Sequence, residues 1–344
     1  MSFSFSRKRE NKAMSVKKRI TIVILLFVLM ILVFLVGCNV GQYKMTVLEV
    51  FKTLFGQGDY YSNLALFEFR LPRLVLALLV GTGMGMAGVV MQNLLHNDLA
   101  SPGTLGVSDG SGLFVTIYVA LVKSKNSNPF ILPILALCGG LLSAIIIFLL
   151  GSKRKQNLSP TRLIMTGVAM SAAYGALGTV MMYSLDRNQL EFLQRWQSGE
   201  LWGTEWSYIA VLAVWVVLFG GIIYYKARTL NTINIGYDIA KGLGVNVKTE
   251  FIIFGICAVA ISSASVAFGG NFFFLGLIGP HIARRLVGTN VKFLFPASAF
   301  VSAILILLAD MLVMGVDIFI NIPTGILVSI LSVPYFIYLL IKES

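Results

Sequence analysis

Two carboxylates, Asp109 and Asp310, stand inside otherwise apolar stretches, and an ionised side chain in such surroundings is costly enough to mark a candidate site. Ion-coupled transport is the chemistry they suggest, since a proton or cation needs a carboxylate and a relay partner. Neither has a charged partner at helical spacing, so a structural role is read for both. Counted from Gly103, Asp109 falls about two turns into a helix, on the side where the helix dipole favours an anion. His281, in "GPHIARR", has no second ligand at i+3 or i+4, and His96 lies 185 residues away, so metal binding is not indicated. Cys38, Cys138 and Cys257 sit in or beside apolar runs without CxxC spacing or a neighbouring His, and read as small buried hydrophobes. The glycine-rich stretch "PGTLGVSDGSG" at 102–112 invites a phosphate-loop reading. It has no Lys after its glycines and no strand before it, and it runs straight into "LFVTIYVALV". It reads as a helix start packed close against neighbours. With no cluster of His, Asp or Glu, an integral membrane enzyme ranks last.

The elements that hold these residues are apolar spans. The chain is 57% hydrophobic and 12% charged, with a mean hydropathy of +0.85; a soluble domain carries about twice that charged fraction. The expected fold is an all-α polytopic membrane protein with a basic tail over 1–19 and one transmembrane domain over 20–342. Ten apolar segments are expected: 20–40, 71–91, 103–122, 130–150, 161–183, 206–225, 251–268, 272–287, 295–314 and 323–341. Pro72, Pro102, Pro129, Pro160, Pro296 and Pro323 each sit near an expected helix start. "FGGN" at 268–271 divides a long uncharged run into one full and one short helix.

The N-terminal run Ile20–Val36, followed by "LVGC" ending at Cys38, imitates a lipoprotein signal, but its length favours a retained span. With ten crossings and both termini inside, 19 of the 27 Lys and Arg lie on the inner side. The net charge of +12 thus follows membrane orientation, and no basic stripe with interleaved aromatics indicates nucleic acid.

Small residues recur every fourth position. Ala77, Gly81 and Gly85 read as internal packing; the more polar row Gly167, Ser171, Gly175 and Thr179 faces either a partner subunit or a passage. The loop 226–250 mixes Ile233, Ile235, Tyr237, Ile239, Leu243 and Val245 with charges, as either a docking loop or a solvated connector.

Six stretches occur together and in order: "RLPRLVLALLVG" at 70–81, "AGVVMQNLLHNDLASPGTLGVSDGSG" at 87–112, "GYDIAKGLGV" at 236–245, "FFFLGLIGPHIARRLVGTN" at 272–290, "LAD" at 308–310 and "IPTGILVSILSVPYFIYLL" at 322–340. Nearly the whole chain from about residue 65 thereby resembles the FecCD or BtuC-like permease family of ABC importers for iron siderophores, haem and cobalamin. The resemblance implies ten spans per subunit, a homo- or heterodimer of permeases, two ATPase subunits carrying ATP and Mg, an external substrate-binding protein, and a bacterial cell membrane location. It implies no cofactor on this chain. It places ATPase coupling on Gly236, Tyr237, Asp238, Ala240, Leu243 and Gly244, and binding-protein docking on Arg70 and Arg73. The translocation path is expected along Gly167, Ser171, Gly175 and Thr179. The cargo is expected to be a ferric siderophore, with the hydroxamate type as the narrower expectation. Met314 stands where some relatives carry an Arg, which leaves one docking contact to a non-identical partner subunit, and Asp109 stands where relatives often have a small neutral residue. A secondary transporter driven by an ion gradient is the competing class; it predicts loss of transport on neutralising Asp109 or Asp310.

Overall fold

The computed structural model describes residues 14–41, 43–121, 130–152, 159–202, 204–319 and 321–343. The basic residues of 1–13, Lys123, Lys125, Pro129 and the loop 153–158 lie outside the described residues. Among those described, every regular element is helical. Seven helical stretches are long and apolar enough to cross a membrane: α1 (Val16–Gly37), a continuous stretch Tyr60–Leu95, α6 (Ile131–Gly151), α7 (Pro160–Met182), α9 (Trp206–Tyr225), α12 (Val247–Gly269) and α14 (Val291–Gly315). Shorter apolar stretches are α5 (Val107–Leu121) and Thr324–Tyr338 of α15 (Thr324–Glu343), and α13 (Leu275–Val287) is shorter still. The remaining helices are α2 (Val47–Leu54), α3 (Tyr60–Asn63), α4 (Leu71–Leu95), α8 (Arg187–Gln197), α10 (Ala227–Ile235) and α11 (Tyr237–Gly242).

Helix α1 begins at Val16, so Lys17, Lys18 and Arg19 ride on its first turn rather than in a tail. Between α3 and α4 the chain winds as a π-helix over Leu64–Arg70, an element with no signature in the apolar pattern. Pro72 and Pro160 occupy first-turn positions, where a missing N–H is harmless. Pro296 instead lies inside α14. Cys38 and Cys257 are buried, whereas Cys138 is exposed on α6, against the expectation for all three.

α4 is the central helix. Its small-residue row lets neighbours approach to backbone distance, which lipid cannot drive by hydrophobic means. A Cβ on Gly81 would lie 2.7 Å from Ala303 Cα, and one on Gly85 2.6 Å from the Ser298 carbonyl oxygen. A Cβ on Gly88 would overlap the carbonyl of Gly276 on α13. Gly81 and Gly85 of the row pack internally against α14, as expected, and Gly88 next to the row packs against α13.

Two segments break the helical pattern inside the bundle. After α4 ends, residues 97–106 turn back between the helices, so the third span begins at Val107 and not Gly103. A Cβ on Gly276 would sit 3.3 Å from both Pro102 Cδ and the Met84 carbonyl. Met84 lies eleven residues before the end of α4, about 16 Å along its axis. Irregular backbone at such depth must satisfy its own polar groups. Here Ser101 N–H donates to Thr104 Oγ1 at 2.9 Å, Thr104 Oγ1 to the Ser101 carbonyl at 3.0 Å, and Ser143 Oγ to the Gly106 carbonyl at 2.8 Å. Gly106, at φ +77°, makes the left-handed turn into α5. The second break falls at Gly270–Phe274, where the "FGGN" signal puts it, and Phe273 packs on Gly103 of the first.

The bundle has two ends. One gathers the end of α4, α10, α11 and the α13–α14 junction: Arg284 pairs with Asp98 and donates to Gln92 Oε1 at 3.1 Å, and Asn231 Nδ2 donates to Asn290 Oδ1 at 3.2 Å. The other gathers Arg70, Arg73, Asp310 and the turns at 198–200, 270–271 and 323–325, where Gly325 N–H donates to the Gly199 carbonyl at 2.8 Å.

Candidate functional site

At the α11 end, Gly236 and Gly244 hold φ +147° and +83°, a backbone open to glycine at little cost, and so bracket a short helix set off from its neighbours. The residues between them divide by face. Ala240 is fully buried and anchors α11. Tyr237 also turns inward: its hydroxyl donates to the Leu94 carbonyl, and its ring meets that of His96 edge-on at 4.8 Å. Burial pushes the Tyr237 phenol above its usual range, so it stays a donor. Asp238, Ile239, Leu243 and Gly244 face outward, joined by Ile235. Asp238 and Lys241 stand 3.4 Å apart on that face.

His96 caps α4 in the left-handed conformation at φ 48°, among the described residues the one non-glycine with positive φ. That geometry costs roughly 1 kcal/mol for an ordinary side chain. Its ring is fixed by the Ile233 carbonyl of α10 at 3.0 Å and by Tyr237. The Leu94 carbonyl is one of the helix-end acceptors without an intrahelical partner, and Tyr237 satisfies it. α11 is thus tied to α4 by side chains, not merely laid against it. The amphipathic pattern pointed to Tyr237; nothing in sequence pointed to His96 as its partner.

At the opposite end, Arg70 and Arg73 are both engaged within the chain. The π-helical turn carries Arg70 inward, where it is 3% exposed and donates to the Cys38 carbonyl at 2.9 Å and to the Tyr43 carbonyl. Arg73 grips Asp310: Nε lies 3.0 Å from both carboxylate oxygens and Nη2 2.8 Å from Oδ1. Thr324 Oγ1 of α15 donates to the same Oδ1 at 2.9 Å. Asp310 is therefore not isolated, as its sequence neighbourhood suggested; its partner comes from another helix. Charge and hydrogen bonds are both met, which is what a buried carboxylate requires.

The row on α7 divides. Gly167 is buried against Leu105, and Ser171 lies beside the start of α5, its Oγ 3.0 Å from where a Cβ on Gly106 would stand. A Cβ on Gly175 would meet nothing within 4 Å, and Thr179, exposed, bonds only the Gly175 carbonyl of its own helix. Asp109 lies in the first turn of α5, nearer the helix start than the apolar run suggested, because the turn at 101–106 delays the helix. His281 takes a hydrogen bond from Arg285 Nε at 3.3 Å. A separate cleft of about 460 Å³ opens among α4, α6, α7 and α12; it is lined by apolar side chains such as Leu94, Ile147 and Phe251, with nothing to hold a polar cargo.

Apolar helices broken at mid-depth, with a short surface helix tied to the central one, make an all-helical polytopic membrane protein of the kind that forms a permease. The FecCD transport family matches residues 28–342, and the chain belongs to that family. It is 39% identical over 334 residues to the iron(3+)-hydroxamate import system permease FhuG of Bacillus subtilis, covering 95% of this chain and 98% of that protein. It is 33% identical to the Fe(3+) dicitrate transport system permease FecD of Escherichia coli, covering 92% and 98%. Among solved structures, an inward-facing metal-chelate type ABC transporter superposes with a TM-score of 0.80 at 25% identity, over 94% of this chain and 99% of that one.

Proposed function

We propose that the chain is one of two permease halves of an ATP-driven importer that carries ferric siderophores across a bacterial cell membrane. The iron-chelate cargoes named for its relatives support this, and so does the outward face of α11. Ile239 and Leu243 are 52% and 67% exposed beside charged Asp238 and Lys241, on a helix anchored by Ala240 and Tyr237, and Ile235 at the end of α10 is 65% exposed next to them. Apolar side chains on a charged, water-facing loop suit a protein partner. On this reading the ATPase subunits, which carry ATP and Mg, dock on the face between Gly236 and Gly244.

Ten crossings with both termini cytoplasmic are supported by the seven long helices, by α5, α13 and α15 as shorter ones, and by the excess of Lys and Arg on the α11 side. The binding protein then meets the Arg73 end. Arg73 keeps 23% of its side chain open while it holds Asp310, and so offers an edge to an acidic partner; Arg70 acts there by holding the Cys38 and Tyr43 carbonyls. The exposed Gly175–Thr179 stretch of α7 is assigned to the second permease subunit and the passage between the two. The test is uptake of radioiron chelates into proteoliposomes holding both permeases, with ATPases inside and loaded binding protein outside. ATP-dependent accumulation supports the reading; uptake driven by an ion gradient without ATPases overturns it.

A further inference from the structure

Asp310 is neutralised by Arg73, but Asp109 has no such partner: among the described residues no cation pairs with it, and the start of α5 lies against Ser171 of α7, whose Oγ would stand 3.0 Å from a Cβ on Gly106. Asp109 is only half-buried. The segment before α5 re-enters the bundle to the level of Met84, so Asp109 stands well inside the membrane span. A half-exposed carboxylate at that depth is not stable against hydrocarbon and belongs beside water or protein. The adjoining face of α7 carries the small exposed residues Gly175 and Thr179, which leave room beside it. The start of α5 would by itself attract an anion; here the chain supplies its own.

From this juxtaposition we propose that Asp109, at the start of α5 beside α7, sets the charge selectivity of the passage, favouring neutral and cationic ferric chelates over anionic ones. The inference rests on the importer reading and narrows its substrate class. A carboxylate about 10 Å from the cargo, in a medium intermediate between protein and water, biases passage roughly five- to tenfold per unit of cargo charge.

The probe is one linear ferric trihydroxamate whose terminal amine is left free, acetylated or succinylated, giving a cationic, a neutral and an anionic chelate of nearly the same shape. Uptake by the assembled importer is measured at saturating loaded binding protein, so that the affinity of that protein for each chelate drops out. Wild type should move the cationic and neutral forms faster than the succinylated one. Asp109→Asn, nearly isosteric, should raise succinylated uptake relative to the cationic form by about fivefold or more, while Asp109→Glu, which keeps the charge, should preserve the wild-type order. An unchanged ratio in Asp109→Asn, or an equal loss of all three chelates, overturns the proposal. Uptake of the chelates by wild type without ATP or ATPase subunits overturns the importer reading itself.

Discussion

Arg73 on α4 holds Asp310 on α14 through both carboxylate oxygens, and Thr324 at the start of α15 completes the cluster at 2.9 Å. Three helices are joined at one end of the bundle by a single carboxylate that is wholly buried.

Removing one partner leaves the other charge buried and uncompensated. Arg73→Met should cost about 3 kcal/mol, seen as a lower Tm of the purified protein in detergent. The double variant Arg73→Met, Asp310→Leu should recover most of that loss. Equal destabilisation in the single and double variants would show that the pair itself contributes net stability. The same pairing changes what neutralising Asp310 means, because lost transport in Asp310→Asn now reports a broken ion pair before it reports ion coupling.

Tyr237→Phe keeps the ring against His96 and removes the donor to the Leu94 carbonyl, a change of about 1 kcal/mol. ATPase subunits should still bind, because the outward face of α11 is untouched. Transport per ATP hydrolysed should fall. Transport and hydrolysis falling in proportion would mean that the hydroxyl only stabilises the fold.

Glycines of the two rows should respond in opposite ways. Gly88→Ala drives a Cβ into the Gly276 carbonyl between α4 and α13, and should lower the yield of folded protein sharply. Gly175→Ala meets nothing within 4 Å and should leave the Tm of the single subunit unchanged. Gly175→Leu should cut uptake while the complex still assembles, as read by co-purification of both permeases. Normal uptake in that variant would remove α7 from the passage.

The apolar segments and the break at "FGGN" were legible because hydropathy and glycine clustering act locally. The resemblance carried the family because its motifs are spread along the chain in order. The Arg73–Asp310 pair was not legible: the two residues lie 237 positions apart, and helical spacing searches only one helix. Asp109 looked two turns deep in a helix because the apolar segment was counted from Gly103, whereas 101–106 form a turn closed by Ser101–Thr104 hydrogen bonds and the approach of Gly276 to Pro102 and Met84 reveals the re-entry. Tyr237 was marked by the loop pattern, yet its inward orientation depends on His96 and Leu94, about 140 residues earlier.

The most direct test of the central claim is gentle purification from the native membrane, with ATPase activity measured for wild type and for an Ile239→Arg, Leu243→Arg double variant, which changes the outward face of α11 alone. The account predicts that wild type brings ATPase subunits with it and that the variant, though still folded in the membrane, loses both the subunits and the activity. A wild-type protein that transports without any ATPase companion would contradict it.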